Sequence, residues 1–314
     1  MPAQSVPPAW KILVAFAIIY FVWGSTFLAI RVGVREVPPF LYAAMRFSIA
    51  GVVLFAWATA KRERPATRRQ WVSVVLIAFL IFVLDYGLLF WAEQRVPSGV
   101  AAVMMATIPA FMALSEITIL RTRKLTLRLA VALVIGIGGV AVLTGGFGGA
   151  GAPVDRLGAV ALLIASASWS LSSALTRKLP MPESKIMSAG AQMVAGGLLL
   201  TITSGALGEF HRFRPQSVSA AAWLSLLYLT VAGSIIGFTA YVWLIHHESP
   251  TKVATYAYVN PVVAVLVGYV LGGEALGIRT VAGAACVLLS VVVITTTRPG
   301  NAESPPRSRG AASD

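Results

Sequence analysis

Two ionisable residues lie inside long apolar stretches of the sequence. Arg46 stands in LYAAMRFSIAG, residues 41–51, and Asp85 stands in the apolar stretch 70–92. A charge at the centre of a membrane-spanning helix costs about 2.5–3.5 kcal/mol on insertion scales, so it should face the protein interior, water or a partner. The two residues lie at similar predicted depths, and we expect a contact between them beside a cavity, direct or through water. Because an intramembrane carboxylate can carry a proton, Asp85 is also the candidate for proton coupling.

Two other interpretations of Arg46 stay open. A pair with Asp85 could serve only to lock two helices together. Alternatively, the long Arg46 side chain could extend to the membrane interface and bind no substrate.

Aromatic and amide side chains form a second set of candidate site residues. Trp23 and Trp169 each lie in the middle of an apolar stretch with hydroxyl residues nearby, which suits a mostly apolar pocket with a few oriented polar groups. Tyr256 and Asn260 are four residues apart and share a helix face. Either tryptophan could instead be an anchor at the membrane interface, although the mid-span positions favour a pocket or the core. The predicted substrate-binding residues are Trp23, Arg46, Asp85, Tyr86, Trp169, Gln192, Tyr256 and Asn260.

The elements that must position these residues are transmembrane helices. Of the 314 residues, 57% are hydrophobic and 12% are charged, whereas a soluble domain carries about 25% charged residues. The mean hydropathy is +0.81, and the apolar runs are long enough to cross a hydrocarbon core of about 30 Å as helices. Ten spans are predicted, at about residues 10–32, 38–60, 70–92, 97–120, 127–145, 157–178, 184–206, 219–246, 250–272 and 277–297.

The net charge of +13 comes from basic residues in short loops between these spans. That placement is typical of cytoplasmic loops and does not indicate nucleic-acid binding. With the N-terminus inside, 17 of the 25 Lys and Arg residues fall on the cytoplasmic side and seven on the other. We therefore expect both termini in the cytoplasm, as a short segment 1–9 and a disordered tail 298–314. The single cysteine, Cys286, allows no internal disulfide.

The two halves of the sequence resemble each other. WGSTFLAIR from Trp23 aligns with WSLSSALTR from Trp169 at an offset of 146, and the same offset aligns Arg46 with Gln192. Each half has five spans, an odd number, so the second copy must enter the membrane in the opposite sense. The predicted fold is an all-α polytopic membrane protein of ten transmembrane helices in a 5+5 inverted repeat. The repeats are residues 10–145 and 157–297, joined by the Gly-rich linker 146–156.

A matched pair of prolines marks the fourth and ninth spans. After one length change the offset between the halves becomes 152, and Pro109 aligns with Pro261. Both lie about 17 Å deep in their predicted spans at 1.5 Å per residue. Proline removes a backbone hydrogen bond, and carbonyls freed at that depth need a partner helix or a wet cavity. The pair predicts a hinge or gate, although prolines are also common in membrane helices.

Three motifs resemble the drug/metabolite transporter superfamily of ten-helix type, specifically its EamA family. They are WGSTFLAIRVGVREVPPFLYAAMRF (23–47), VPSGVAAVMMATIPAFMAL (96–114) and TYAYVNPVVAVLVGYVLGGEAL (255–276), and the resemblance covers residues 10–297. It implies a central cavity lined by the first four helices of each half, alternating access, and usually export of amino acids or related metabolites. It also implies that the fifth and tenth helices stand aside from the cavity, where they can contact a second subunit.

These features predict a secondary transporter that exports a small metabolite, such as an amino acid, across the cell inner membrane. The alternatives are a multidrug or other small-molecule exporter of the same fold and, from another class, a membrane-embedded enzyme. The sequence lacks the clustered catalytic groups of an enzyme, a phosphate-binding loop and any metal-ligand spacing. No cofactor is therefore expected. The expected partners are a small-molecule substrate, the lipid bilayer and, in a homodimer, a second copy of the chain.

Overall fold

The computed structural model describes residues 8–121, 124–144, 154–248, 250–253 and 255–296. Most of the predicted N-terminal segment 1–9, most of the linker 146–156 and all of the tail 298–314 lie outside these ranges. Within them the chain is built from helices and contains no β-strand. The predicted all-α membrane fold is therefore confirmed.

Ten apolar helices follow one another in the order that the sequence predicts. Eight of the described helices are long and apolar enough to cross a membrane, and α5 and α9 are shorter. Polar N-caps begin several of them; Thr67, for example, forms a reciprocal capping box with Gln70. The helices are α1 (Ala9–Val34), α2 (Pro39–Ala60), α3 (Arg68–Ala92), α4 (Ser98–Leu120), α5 (Leu127–Leu143), α6 (Arg156–Thr176), α7 (Lys185–Ala206), α8 (Ala220–Leu244), α9 (Tyr256–Val270) and α10 (Ile278–Thr296).

The helices pack in pairs that the inverted repeat relates to each other. Helix α2 packs along α7, α5 along α10, and α4 against α9. Helix α1 contacts α8 and α9, and its counterpart α6 contacts α3 and α4. Each half therefore wraps around the other, and the space between them is bounded by helices of both repeats.

The two spans that carry the matched prolines are both interrupted. The predicted span 250–272 is not one helix, because a separate short helix, Pro250–Val253, precedes α9. In α4 the residues Ala106 and Thr107 form a turn just before Pro109. Pro109 has no N–H to donate to the carbonyl one turn earlier, which favours a break at this point.

Several helices also contain π-helical stretches that the sequence did not predict. They are Ile18–Val22 in α1, Phe79–Gly87 in α3, Glu116–Leu120 in α4 and Leu229–Ile236 in α8. A π-turn departs from the regular hydrogen-bond ladder and leaves backbone groups available to neighbouring side chains, often at functional sites.

The α2–α7 contact brings two backbones together through glycine. A Cβ atom on Gly51 would lie 2.6 Å from the backbone nitrogen of Val194, and one on Gly190 would lie 2.6 Å from the backbone nitrogen of Phe55. Small residues allow this close approach of membrane helices. The central helix pair thus depends on the absence of side chains at Gly51 and Gly190.

We expect Gly51→Val to lower the melting temperature of the purified protein, because a side chain would force two backbones apart. Overpacking of this kind costs about 1–3 kcal/mol, and backbone atoms cannot rotate away. The matched control is Gly138→Val, since no atom lies within 4 Å of a Cβ placed on Gly138. Equal melting temperatures for the two variants in detergent would contradict the proposed packing.

Candidate functional site

A cavity of about 620 Å³ lies between the two repeats. Its walls come from α1–α4 and α6–α9, with the loop before α7, and among the described residues neither α5 nor α10 contributes to the lining. Instead, α5 and α10 pack on each other outside the cavity. The arrangement is the one that the family resemblance implies.

The structure brings all eight predicted substrate-binding residues to this cavity. They are Trp23, Arg46, Asp85, Tyr86, Trp169, Gln192, Tyr256 and Asn260. The matched prolines Pro109 and Pro261 are not among the described residues of the lining, but the residue before each of them, Ile108 and Asn260, is. Helix α4 has its turn just before Pro109, whereas α9 continues as a helix through Pro261. Both helices contribute to the cavity wall through the residue before the proline.

Arg46 is held in place by the opposite repeat. Its side chain is buried, and its Nε donates a hydrogen bond to Ser234 Oγ at 2.9 Å. The guanidinium also lies over the rings of Phe47 and Tyr86, at 4.7 and 5.4 Å, a favourable arrangement for a cation. One guanidinium nitrogen, Nη1, has no hydrogen-bond partner within the protein. Arg46 therefore faces the protein interior and does not extend to the interface.

The expected direct contact between Arg46 and Asp85 is not formed. Of the ion pairs within the described ranges, none joins these two residues. Arg46 turns toward Ser234 in α8, whereas Asp85 lies buried in the π-helical stretch of α3 with Oδ1 lacking a hydrogen-bond partner. The prediction of a direct pair was wrong, because the guanidinium is directed to Ser234 and to the Phe47 and Tyr86 rings, whereas a contact through water stays a prediction. The cavity is consequently lined by these two ionisable residues without an ion pair between them.

Aromatic rings make up two parts of the cavity wall. Trp23 packs against Tyr241 and Tyr256, with ring centroids 5.4 and 5.3 Å apart. Tyr86 meets Trp169 edge to face at 6.2 Å. The two repeat-related tryptophans thus serve both as packing residues and as cavity surface.

Side chains from neighbouring helices bond the carbonyls of the π-helical stretches. Trp23 Nε1 in α1 donates to the Gly233 carbonyl of α8 at 3.0 Å, and Ser168 in α6 donates to the Leu80 carbonyl of α3 at 2.8 Å. The Asn260 amide lies 3.1 Å from the Ile19 carbonyl and 3.2 Å from the Tyr20 carbonyl, contacts in which its nitrogen is the donor. These bonds are made to carbonyls of the irregular stretches, and they tie α1, α3 and α8 to the other repeat.

The cavity continues to one membrane face. We call this the basic face; it carries the loops 61–67 and 177–184. Glu183 and Lys185, both exposed on that face, line the cavity together with Met181 and Pro182. Gln192 lies further in and donates to Ser188 at 3.0 Å.

The opposite face is closed by carboxylates that cross between the repeats. We call it the glutamate face; it carries the loops 35–38, 93–97, 207–219 and 271–277. Glu209 accepts from the backbone N–H of Leu41, at 2.8 Å, and of Phe40, at the start of α2. Glu36 accepts from the backbone N–H and the hydroxyl of Ser219, at 2.6 and 2.8 Å, at the start of α8. Carboxylates at helix N-termini satisfy the free N–H groups there and favour the helix dipole.

Sequence reasoning missed both Ser234 and this set of glutamates. Ser234 is an ordinary serine whose role depends on a residue 188 positions away. The glutamates stand at span ends, where solvation is the usual expectation, yet Glu93 and Glu209 are buried. Within the described ranges, no group of three or more His, Cys, Asp and Glu side chains is arranged to hold a metal ion.

The link between Glu36 and Ser219 should weaken in acid. The two Ser219 hydrogen bonds favour the charged carboxylate and hold the pKa of Glu36 below its ordinary value of 4.5. Because the folded pKa is the lower one, the link is intact above that ordinary value and is lost as the pH falls through the folded pKa. In Ser219→Ala the hydroxyl bond is gone, so a titration of the Glu36 carboxyl carbon by NMR should give a higher midpoint. Glu63, far from Ser219 on the basic face, is the internal reference, and an unchanged Glu36 midpoint would contradict the assignment.

Comparisons with known proteins agree with this architecture. The model of the EamA-like transporter family matches residues 10–145 and again residues 156–296. The chain is 37% identical to the uncharacterized inner membrane transporter YedA of Escherichia coli (strain K12), over 88% of each chain. It is 24% identical to the uncharacterized transporter YvbV of Bacillus subtilis (strain 168), over 91% of each. A solved protein structure shares the fold with a TM-score of 0.59 and 22% identity, covering 91% of this chain and 96% of that one. The chain therefore belongs to the EamA-like transporter family.

Proposed function

We propose that this protein is a secondary transporter that exports an amino acid or a closely related metabolite across the inner membrane by alternating access. The observation that carries the proposal is that Arg46 and Asp85, two ionisable residues of opposite type, line one cavity without pairing with each other. Arg46 Nη1 and Asp85 Oδ1 both lack a protein partner, and both residues line the same space. A small molecule with one carboxylate and one ammonium group matches that arrangement, because its carboxylate can pair with the Arg46 guanidinium and its ammonium group favours the ionised form of Asp85.

The two membrane faces support an alternating-access cycle. The cavity reaches exposed residues on the basic face, whereas cross-repeat hydrogen bonds of Glu36 and Glu209 close the glutamate face. We assign the basic face to the cytoplasm, which places both termini there, since Lys and Arg favour cytoplasmic loops. The arrangement is then the one that loads substrate from the cell interior. The two units that move against each other are residues 10–145 and 157–297, with Pro109 and Pro261 as hinges or gates.

The membrane orientation can be tested with cysteine labelling in a Cys286→Ala background. Ser217→Cys lies on the glutamate face and Ala66→Cys on the basic face, in the loops 207–219 and 61–67. We expect a membrane-impermeant maleimide added to intact cells to label Ser217→Cys and to leave Ala66→Cys unlabelled until the cells are opened. The reverse pattern would invert the assignment of the faces and the direction of loading.

A second candidate function is export of apolar aromatic drugs by the same cavity. The aromatic wall formed by Trp23, Phe47, Tyr86 and Trp169 favours it. The two candidate functions differ in how much they depend on the charge of Arg46, because an uncharged aromatic molecule gains little binding energy from it.

Arg46→Gln separates these candidates. A ligand is first selected by the rise in melting temperature that binding produces across a panel of amino acids and of uncharged and cationic aromatic compounds. Charge-assisted hydrogen bonds contribute about 1.5–3 kcal/mol, so Arg46→Gln should weaken amino-acid binding roughly 10- to 150-fold. Uptake into liposomes should fall accordingly while the purified protein stays folded and monodisperse.

The matched control is Arg35→Gln, the same substitution at an exposed position of the glutamate face. It should bind and transport like the unmodified protein. Normal amino-acid transport by Arg46→Gln would remove the guanidinium from the site. Transport of uncharged aromatic compounds that is insensitive to Arg46→Gln would favour the second candidate.

A further inference from the structure

A second ionic cluster, partly buried, lies at the glutamate face, apart from the cavity. It consists of Arg31 in α1, Glu93 just after α3 and Glu274 in the loop after α9. None of the three lines the cavity. Arg31 and Glu93 belong to the first repeat and Glu274 to the second, so the cluster spans the interface that must open if the glutamate face opens.

Glu274 is bonded on both carboxylate oxygens. Oε1 accepts from the backbone N–H and the hydroxyl of Ser98, each at 2.7 Å, and Oε2 accepts from the Gly99 N–H at 3.1 Å. Glu274 thus binds the start of α4 in the other repeat. Gly268 makes room for it, because a Cβ there would lie 2.6 Å from Glu274 Oε2.

Arg31 is bonded to the same region. Its Nη1 donates to the Val96 carbonyl at 2.6 Å, and its Nε lies 3.5 Å from Glu274 Oε1. The Arg31 charge is therefore shared with a carboxylate that already accepts three hydrogen bonds.

Glu93 is the member of the cluster that is left without a hydrogen bond. Its side chain is 1% exposed, and neither of its carboxylate oxygens has a hydrogen-bond partner. Two carboxylates face one arginine, so full ionisation would leave an uncompensated negative charge in a buried site. Such a group ordinarily takes up a proton instead.

Neighbouring charges both raise and lower the pKa of Glu93, but burial has the largest effect on it. Burial raises the pKa of Glu93 well above its usual range, the charge of Arg31 lowers it, the negative charge of Glu274 raises it again, and the nearby backbone of Arg31 lowers it. Arg95, on the same loop, is turned to the Trp91 ring at 4.0 Å. Asp155, at the start of the adjacent helix α6, accepts the Gly158 N–H. Neither of these last two charges offsets the burial of Glu93.

We propose that Glu93 is a proton-binding site that couples protonation to closure of the glutamate face. This inference rests on the alternating-access function proposed above and concerns its coupling. With the face closed, the Glu93 carboxyl is neutral and packs at the repeat interface. When the face opens, water reaches Glu93, its O–H bond breaks, and the proton passes to water on that side. Reclosure takes one proton up.

The direction of the pH effect follows from which state binds the proton. The closed state holds Glu93 protonated, so acid favours closure of the glutamate face and alkali favours its opening. Asp85 lies in the cavity, in α3, and is not part of this cluster.

Infrared spectroscopy of the full-length protein in lipid tests the protonation directly. A protonated carboxyl group has a carbonyl band distinct from that of a carboxylate, and Glu93→Gln should remove one such band near neutral pH. The control Glu63→Gln makes the same change on the basic face and should remove none. An identical carboxyl band in wild type and Glu93→Gln would overturn the proposal.

A distance measurement tests the coupling without any substrate. Spin labels at Arg35→Cys and Gln216→Cys, both exposed on the glutamate face, report the separation of the repeats in a Cys286→Ala background. As the pH rises, we expect the longer-distance population to grow in the otherwise unmodified protein and to stay constant in Glu93→Gln. Glu93→Leu is a second uncharged variant in case glutamine does not fold, and it should behave in the same way.

Two outcomes would refute the coupling. They are distances that do not depend on pH in the unmodified protein, and an equal pH response with and without Glu93. Either result leaves the flux assay for Arg46 unaffected. Conversely, absence of substrate flux would count against the proposed transport function and not against the proton site.

Discussion

A charged side chain within the hydrocarbon layer must face the protein interior. The arrangement of the two repeats depends on how the charge of Arg46 is stabilised there. A charge facing lipid would cost several kcal/mol, and no water reaches the bilayer core to offset it. Arg46 in α2 of the first repeat bonds Ser234 in α8 of the second and stacks on Phe47 and Tyr86. Because the stabilising hydrogen bond comes from the opposite repeat, the residue at the heart of the candidate site is also a link between the two halves.

The same constraint applies to the backbone. The π-helical stretches in α1, α3 and α8 depart from the regular ladder, and each receives a hydrogen bond from a side chain of another helix. Irregular backbone at membrane depth is tolerated only inside the protein or next to a cavity. The irregular stretches here are inside the protein and also next to the cavity, since they surround the space between the repeats.

Polar contacts differ in kind between the two membrane faces. On the glutamate face, Glu209, Glu274 and Glu36 each bond the start of a helix in the other repeat. On the basic face, the Arg64–Glu183 pair is separated by 3.6 Å with both side chains largely in solvent. Exposed ion pairs of this kind contribute little, about 0–1 kcal/mol. The closed face is therefore held by carboxylate bonds to helix ends, whereas this pair at the open face restrains the two repeats only weakly.

The sequence by itself determined the membrane class, the order of ten helices, the inverted repeat and eight of the residues that line the cavity. These features follow from apolar length, from an odd number of spans per repeat and from the rarity of polar residues in lipid, all of which are local or periodic properties. Only the tertiary structure determined which side chains contact one another. In the folded protein Arg46 bonds Ser234 and not Asp85, and the ninth span is interrupted before Tyr256. Glu93 is buried beside Arg31 and Glu274. Those outcomes depend on which helices meet and at what height, and residues such as Ser234 and Glu93 carry no local pattern that records a contact far away in the chain.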